Sequence, residues 1–447
     1  MKITIDTGDG KARIILTQLL QAGLQAADPS VAMKKTLSID GSRLRVGRCQ
    51  YDLKDFDQIV CVGAGKASGK MAMALEQRLG SRISEGLVAV KDRSWCRTKK
   101  IRLLETSHPI PDKRSVRAAK QIFTLVQSLT RRDLLLVLVS GGASSLLAAP
   151  AAGLTLKDKK HATNLLLCSG ATIQEINTVR KHLSAIKGGR LAAATSATIV
   201  SLVLSDVLGD DLATIGSGLT APDPTTFEDA RNILKRYRIW SGVSSAVRIH
   251  LGKGIDGQIA DTPKLKAVEF ARVHHEIIGN NRLTVEAIVN QAKVAGLHPL
   301  VLTTTLEGEA REVGKMIGAI AKEIQAFGQP VPRPACLVWG GEPTVTVEGK
   351  GQGGRAQELA LSAATQIAGL SKMYVAGFGT DGCDGPTEVA GAIVDGGTVE
   401  RALKKSVDPM QALHNNDSHG FFTKVGGHIR TGPTGTNVND VYVLLAL

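Results

Sequence analysis

Aromatic side chains are scarce, at 3% of the 447 residues. So few ring faces argue against the stacking platforms of a single-strand nucleic-acid binder, and they leave the core to Leu, Val, Ile and Ala. Paired cysteine spacings are missing too. The six cysteines (Cys49, Cys61, Cys96, Cys168, Cys336, Cys383) show no Cys-x-x-Cys and no Cys/His zinc pattern. That argues against a disulfide framework and a structural zinc, and it fits a reducing compartment. The opening residues MKITIDTGDG lack a basic-then-apolar pattern, so a cytoplasmic protein is expected. An unbroken apolar run of membrane length is lacking as well. Leu134 to Leu156 carries no charge, yet Ser140-Gly141-Gly142, Pro150 and Gly153 interrupt it. It reads as a strand entering a Gly/Ser turn, and no membrane association is expected.

What is abundant is glycine, 48 residues, and positive charge, a formal +14. From Lys91 to Arg132 there are twelve basic and three acidic residues. With no nucleic-acid motif present, such a surface points to an anionic small molecule, or to a merely solvated basic face, rather than to nucleic acid. The length suits two domains. Short apolar runs alternate with helical periods, the mark of α/β layers. Strands are expected at 58–62, 86–90, 134–139, 198–204, 300–304, 336–338 and 373–377. Helices are expected at 68–79, 115–129, 156–168, 174–182, 284–295 and 309–327. The turn-rich segment Ile249–Pro263 suggests a boundary, placing one domain at 1–255 and a smaller one at 256–447. The apolar run Val441–Leu447 reads as a terminal hairpin or edge strand.

In parallel sheets, ligands bind where strands end, and here most strands run into polar, Gly-rich turns. Gly63-Ala64-Gly65-Lys66-Ala67-Ser68 opens a helix whose free N–H groups would favour an anion, with Lys66 adding a charge. It departs from both the dinucleotide and the P-loop spacing, and Asp92 and Arg93 leave the ribose-binding acid ambiguous. Ser140-Gly141-Gly142-Ala143-Ser144 can converge backbone amides on an anion, or Ser144 can cap the next helix. Asp206, Asp210 and Asp211 suit Mg²⁺ or an Asx turn. Asn177, Arg180 and Lys181 share a helical face followed by Lys187, which would bind phosphate or carboxylate if it faces a cleft and is otherwise a solvated face. Glu342 follows a strand. Gly353-Gly354-Arg355 enters a helix, where the Arg fork suits phosphate or carboxylate. Asp381 and Asp384 form a second possible cation or base site. His108, in a His-Pro turn, reads as structural before catalytic.

These motifs in this order (GAGKAS, SHPIPD, SGGASSL, INTVRKHLSAIKGGRLA, SDVLGDD, GGEPTV, GQGGRAQELAL, GTDGCDGPT) resemble the glycerate 2-kinase family, also called class II glycerate kinases and once taken for hydroxypyruvate reductases. The resemblance spans nearly the whole chain. It implies a Rossmann-like three-layer N-terminal domain, a smaller C-terminal α/β domain of MOFRL type and an active site in the cleft between them. It implies ATP-dependent phosphorylation of D-glycerate at its 2-hydroxyl, giving 2-phospho-D-glycerate and ADP, with Mg²⁺ or another divalent cation. By that resemblance Lys66 and Arg355 lead the catalytic candidates, with Asp206 holding metal or taking the hydroxyl proton and Asp381 competing for both roles. Gly63, Gly65, Ser68, His108, Ser140, Gly141, Gly142, Ser144, Asn177, Arg180, Lys187, Glu342, Gly353 and Gly354 would contact substrate or phosphate, and Asp384 would join the metal ligands. A homodimer is a possible assembly. The alternative activity is NAD(P)H-dependent reduction of hydroxypyruvate, against which the absent ribose-binding acid weighs.

Overall fold

The computed structural model describes residues 2–6, 10–91 and 96–447. Asp92 and Arg93 lie outside the described residues. Two compact units result, one from Ala32–Ile278 and the other joining Met1–Val31 to Gly279–Leu447. The division therefore differs from the expected boundary after residue 255, at both ends of the chain. The helix Gly10–Ala27 buries Leu16, Leu19, Leu20 and Leu24 in a core shared with Val285, Ile288 and Ala292 of the helix Asn281–Val294. A four-residue apolar period of this kind needs a partner face, and the partner lies far along the chain. Ile249–Pro263, expected as a boundary, begins instead within the helix Ser245–Ile255, which packs with Phe227–Arg236 inside the first unit.

The Ala32–Ile278 unit is built on six strands in the order Val273–Gly279, Thr198–Leu204, Asp133–Ser140, Gln58–Ala64, Glu85–Val90, Ile101–Glu105. The last five are all parallel. All eight residues of Asp133–Ser140 are buried, as a strand covered on both faces requires. The uncharged stretch thus runs as strand, Gly turn and the short helix Ala143–Leu146. A separate three-stranded antiparallel sheet, Leu37–Asp40, Arg43–Val46 and Cys49–Asp52, joins the same unit.

The other unit holds a seven-stranded mixed sheet, ordered Thr4–Ile5, His428–Arg430, Gly391–Asp395, Met373–Gly379, Asp440–Ala446, Ala335–Gly341, His298–Leu306. Alternate side chains feed two cores: Leu337, Trp339, Tyr442 and Leu444 on one face, Cys336, Val338, Val441 and Val443 on the other. The final apolar run is therefore an interior strand, Asp440–Ala446, antiparallel to both neighbours. The expectation was a terminal hairpin or an edge strand. Its continuous apolar character comes from burial on both faces. Among the described residues no helix is long and apolar enough to cross a membrane.

Candidate active site

Three adjacent parallel strands end side by side in the Ala32–Ile278 unit, and their loops converge. Gln58–Ala64 leads into Gly65-Lys66-Ala67, Asp133–Ser140 into Gly141-Gly142, and Thr198–Leu204 into Ser205-Asp206. The Lys66 amide donates to the Gly141 carbonyl at 2.8 Å, and the Ala67 amide donates to Ser140 Oγ at 3.1 Å. Ser68 and Ser140 are buried and share a hydrogen bond of 3.0 Å, so these two hydroxyls brace the loops against each other. Gly65, at φ +149°, passes so close to Ser140 that any Cβ would overlap its side chain, and Gly63 lies as tightly against the Leu138 backbone.

Gly142 marks the centre. At φ +84° a Cβ there would stand 2.9 Å from the His108 ring and 3.2 Å from Lys66 Cγ. A Cβ on Gly141 would overlap the Asp206 carboxylate. Asp206 thus approaches the turn at Gly141, and Lys66 and His108 approach it at the neighbouring Gly142. Lys66 is exposed. Burial, then the charges of Lys66 and Lys91, push His108 down to about 4, so the imidazole is neutral at physiological pH. Asp211 accepts from the Ala213 amide and the Thr214 hydroxyl, which gives it the Asx-turn role.

A second cluster adjoins the first. Lys187 donates to the carbonyl and hydroxyl oxygens of Ser144, Ser144 Oγ pairs with Ser217 Oγ at 2.6 Å, and Ser217 Oγ donates to Asn177 Oδ1 at 3.1 Å. Lys159 donates to the Leu183 carbonyl at 3.1 Å. Lys159 and Lys187 are buried, 8% and 2% exposed. Burial, with Arg180 nearby, pushes Lys159 down to about 7 and, with Lys159 and Arg180 nearby, pushes Lys187 well below the usual lysine range. Burial also lowers Arg180. Lys181, expected on the same face, turns inward instead and pairs with buried Asp223 at 3.3 Å. Lys159, Arg180 and Lys187 line a cavity of about 1070 Å³ that His108, Gly142 and Ser144 also wall.

In the other unit Arg355 opens the helix Arg355–Gln366. Its Nε donates to Asp440 Oδ2 at 2.5 Å, Nη2 to Asp440 Oδ1 at 3.3 Å, and Nη1 to Glu342 Oε1 at 2.7 Å. Strand register accounts for the meeting, because Asp440 sits opposite both Gly341 and Gly379. Three of the five guanidinium N–H groups are taken, leaving two for a ligand. Burial raises the Asp440 carboxyl, and Arg355 opposes that rise. Asp384 accepts three hydrogen bonds: from the Ala356 amide at 3.0 Å, the Gln357 amide at 2.8 Å and Gln357 Nε2 at 2.9 Å. It anchors the helix start in place of the side-chain cap that Gly354 cannot supply. Gly354 is pressed against it, Gly353 lies against Ser418, and Asp381 accepts from the Cys383 amide. Asp384 thus spends three hydrogen bonds on the helix start. Among the described residues no group of three or more His, Cys, Asp or Glu is placed to hold a metal ion.

Sequence reasoning missed Lys159 and Asp440. Lys159 hides in the run Lys157-Asp158-Lys159-Lys160, which reads as a solvated face. Its helical spacing from Ala162 and Leu166 is the signal that puts it on the buried side. Asp440 heads an apolar strand, where a carboxylate is out of place unless it has a partner.

Residues 15–252 match the family described as Domain of unknown function (DUF4147), and residues 335–440 match the MOFRL family. The chain is 42% identical to the glycerate 2-kinase of Pyrococcus horikoshii over 97% of each chain. It is 40% identical to the D-glycerate 2-kinase of Thermotoga maritima over 95% of this chain and 96% of the other. The crystal structure of glycerate kinase from Thermotoga maritima superposes with a TM-score of 0.88 at 38% identity, covering 98% of this chain and 100% of that one.

Proposed function

This chain belongs to the glycerate 2-kinase family, and we propose that it transfers the γ-phosphoryl group of ATP to the 2-hydroxyl of D-glycerate, giving 2-phospho-D-glycerate and ADP. One observation carries the reading: Lys66, His108 and Asp206 all approach the Gly141-Gly142 turn at the carboxyl end of a parallel sheet. Phosphoryl transfer needs alignment and offset charge more than covalent chemistry, and this set supplies both. Lys66 neutralises charge on the transferred group. Asp206 takes the hydroxyl proton or the cation. Arg355, held by Asp440 and Glu342, offers its two remaining N–H groups to phosphate or to the glycerate carboxylate. Arg180 and Lys187 hold a substrate anion. A cation such as Mg²⁺ asks for only one or two carboxylates when phosphate oxygens complete its shell, so Asp206 suffices as the protein ligand, and the ion would offset phosphate charge there.

The test supplies ATP, D-glycerate and Mg²⁺ and reads the product by coupling to enolase without added mutase. Signal is expected, because only the 2-phosphate enters that step directly. Oxidation of NADH on hydroxypyruvate, without ADP formation, would replace the kinase by a reductase. We further propose that the enzyme acts in the cytoplasm on small molecules alone and assembles as a homodimer, which sedimentation would check.

A further inference from the structure

The cavity beside Lys66 is larger and more cationic than a three-carbon acid needs. Its volume, about 1070 Å³, lies at the upper end of the range of drug-sized ligand sites. Lys159, Lys187 and Arg180 lie deep in it, while Lys113, Lys157 and Lys160 stand around it, and no Asp or Glu is among the described residues that line it. Burial and cationic neighbours disfavour the ammonium forms of these two lysines, a cost that an anion bound beside them would offset. Lys187 uses two of its three N–H groups on Ser144, which leaves one to offer. The wall is also partly apolar. Ile110 and Leu167 line it at 61% and 58% exposed, an apolar surface that a flat ring could cover.

We propose that this cavity seats the nucleotide, with its polyphosphate along Lys187, Lys159 and Arg180 and its base over Ile110 and Leu167. The inference rests on the kinase reading and deepens it. His108, Gly142 and Ser144 belong both to the cavity wall and to the loop cluster around Lys66, so a triphosphate lying along the lysines delivers its terminal phosphate to Lys66. The helix Leu156–Cys168 thereby becomes the recognition element, carrying Lys159 on its buried side and Leu167 on its exposed side.

The experiment titrates the enzyme with the fluorescent N-methylanthraniloyl derivative of ADP, with Mg²⁺ and without glycerate, and measures both KM values. Leu167→Glu, at an exposed position, is expected to weaken the derivative about tenfold and to raise KM for ATP alike, with KM for glycerate unchanged. Lys159→Met, which keeps the stem, should do the same. A rise in KM for glycerate with nucleotide binding intact assigns the cavity to the acid and overturns the proposal. So does normal nucleotide binding in both variants. An enzyme that binds the derivative as expected but phosphorylates no glycerate leaves this site standing and removes only the activity assignment.

Discussion

Lys66 and Arg355 carry the same charge but are embedded differently, so their removal should be felt differently. Lys66 is exposed and its stem rests against Gly142. Lys66→Ala should cost on the order of 10³-fold or more in kcat, by the scale set for cations on a transferred phosphoryl group. Its melting temperature should stay at the wild-type value. Arg355→Ala should lose activity and stability together. Asp440 is 3% exposed, and without Arg355 it is a buried carboxyl with no cation, a defect that typically costs about 3–5 kcal/mol. Scanning calorimetry should show a depressed transition for Arg355→Ala and a partial return in Arg355→Lys. Equal melting temperatures for Lys66→Ala and Arg355→Ala would contradict the clamp. Both cations were legible in the sequence, because each stands among glycines at the mouth of a helix. The carboxylate that fixes Arg355 was not, since it lies 85 positions away.

At the scale of elements, the helix Arg355–Gln366 depends on a loop from elsewhere. Asp384 anchors its first turn with three hydrogen bonds in a fully buried setting. Asp384→Ala should therefore destabilise the protein by about 2–4 kcal/mol, combining a lost cap with buried donors left unpaired. Urea unfolding measures it. The roles of the two aspartates separate in a cation titration. Asp206→Asn should raise the Mg²⁺ concentration needed for half-maximal rate, and the residual activity of Asp384→Asn should keep the wild-type requirement. The reverse pattern would make Asp384 the ligand. The helix boundaries themselves were readable: Ser68–Leu79 and Leu156–Cys168 fall where the apolar period of 3.6 places them. The function of Asp384 was not readable, because an acidic pair in a Gly-rich loop looks alike whether it caps a helix or holds a cation.

At the scale of the molecule, acid stability should report a contact that closes the end of the Ala32–Ile278 unit. Burial by itself would raise the Asp261 carboxyl, but hydrogen bonds from His182 and from the Thr262 amide outweigh it and hold the group down at about 2. Between pH 4 and 2 the unfolded chain then binds a proton that the folded chain does not, so stability falls as pH drops through that window. Asp261→Asn should be less stable at neutral pH and should flatten the loss across that interval. An unchanged slope in acid unfolding would remove this role. The sequence alone determined the α/β class, the succession of strand, Gly-rich turn and helix, and the positions of the Gly-rich loops at the strand ends. Those are set by near neighbours, through side-chain periodicity and the backbone freedom of glycine. Tertiary structure decided that the helix Gly10–Ala27 joins the carboxyl-terminal unit, that Asp440–Ala446 lies inside a sheet, and that Lys159 and Lys187 share one cavity. Strand order, register and the pairing of distant faces settle such matters, and no local pattern encodes which distant partner a buried face or a buried charge will meet.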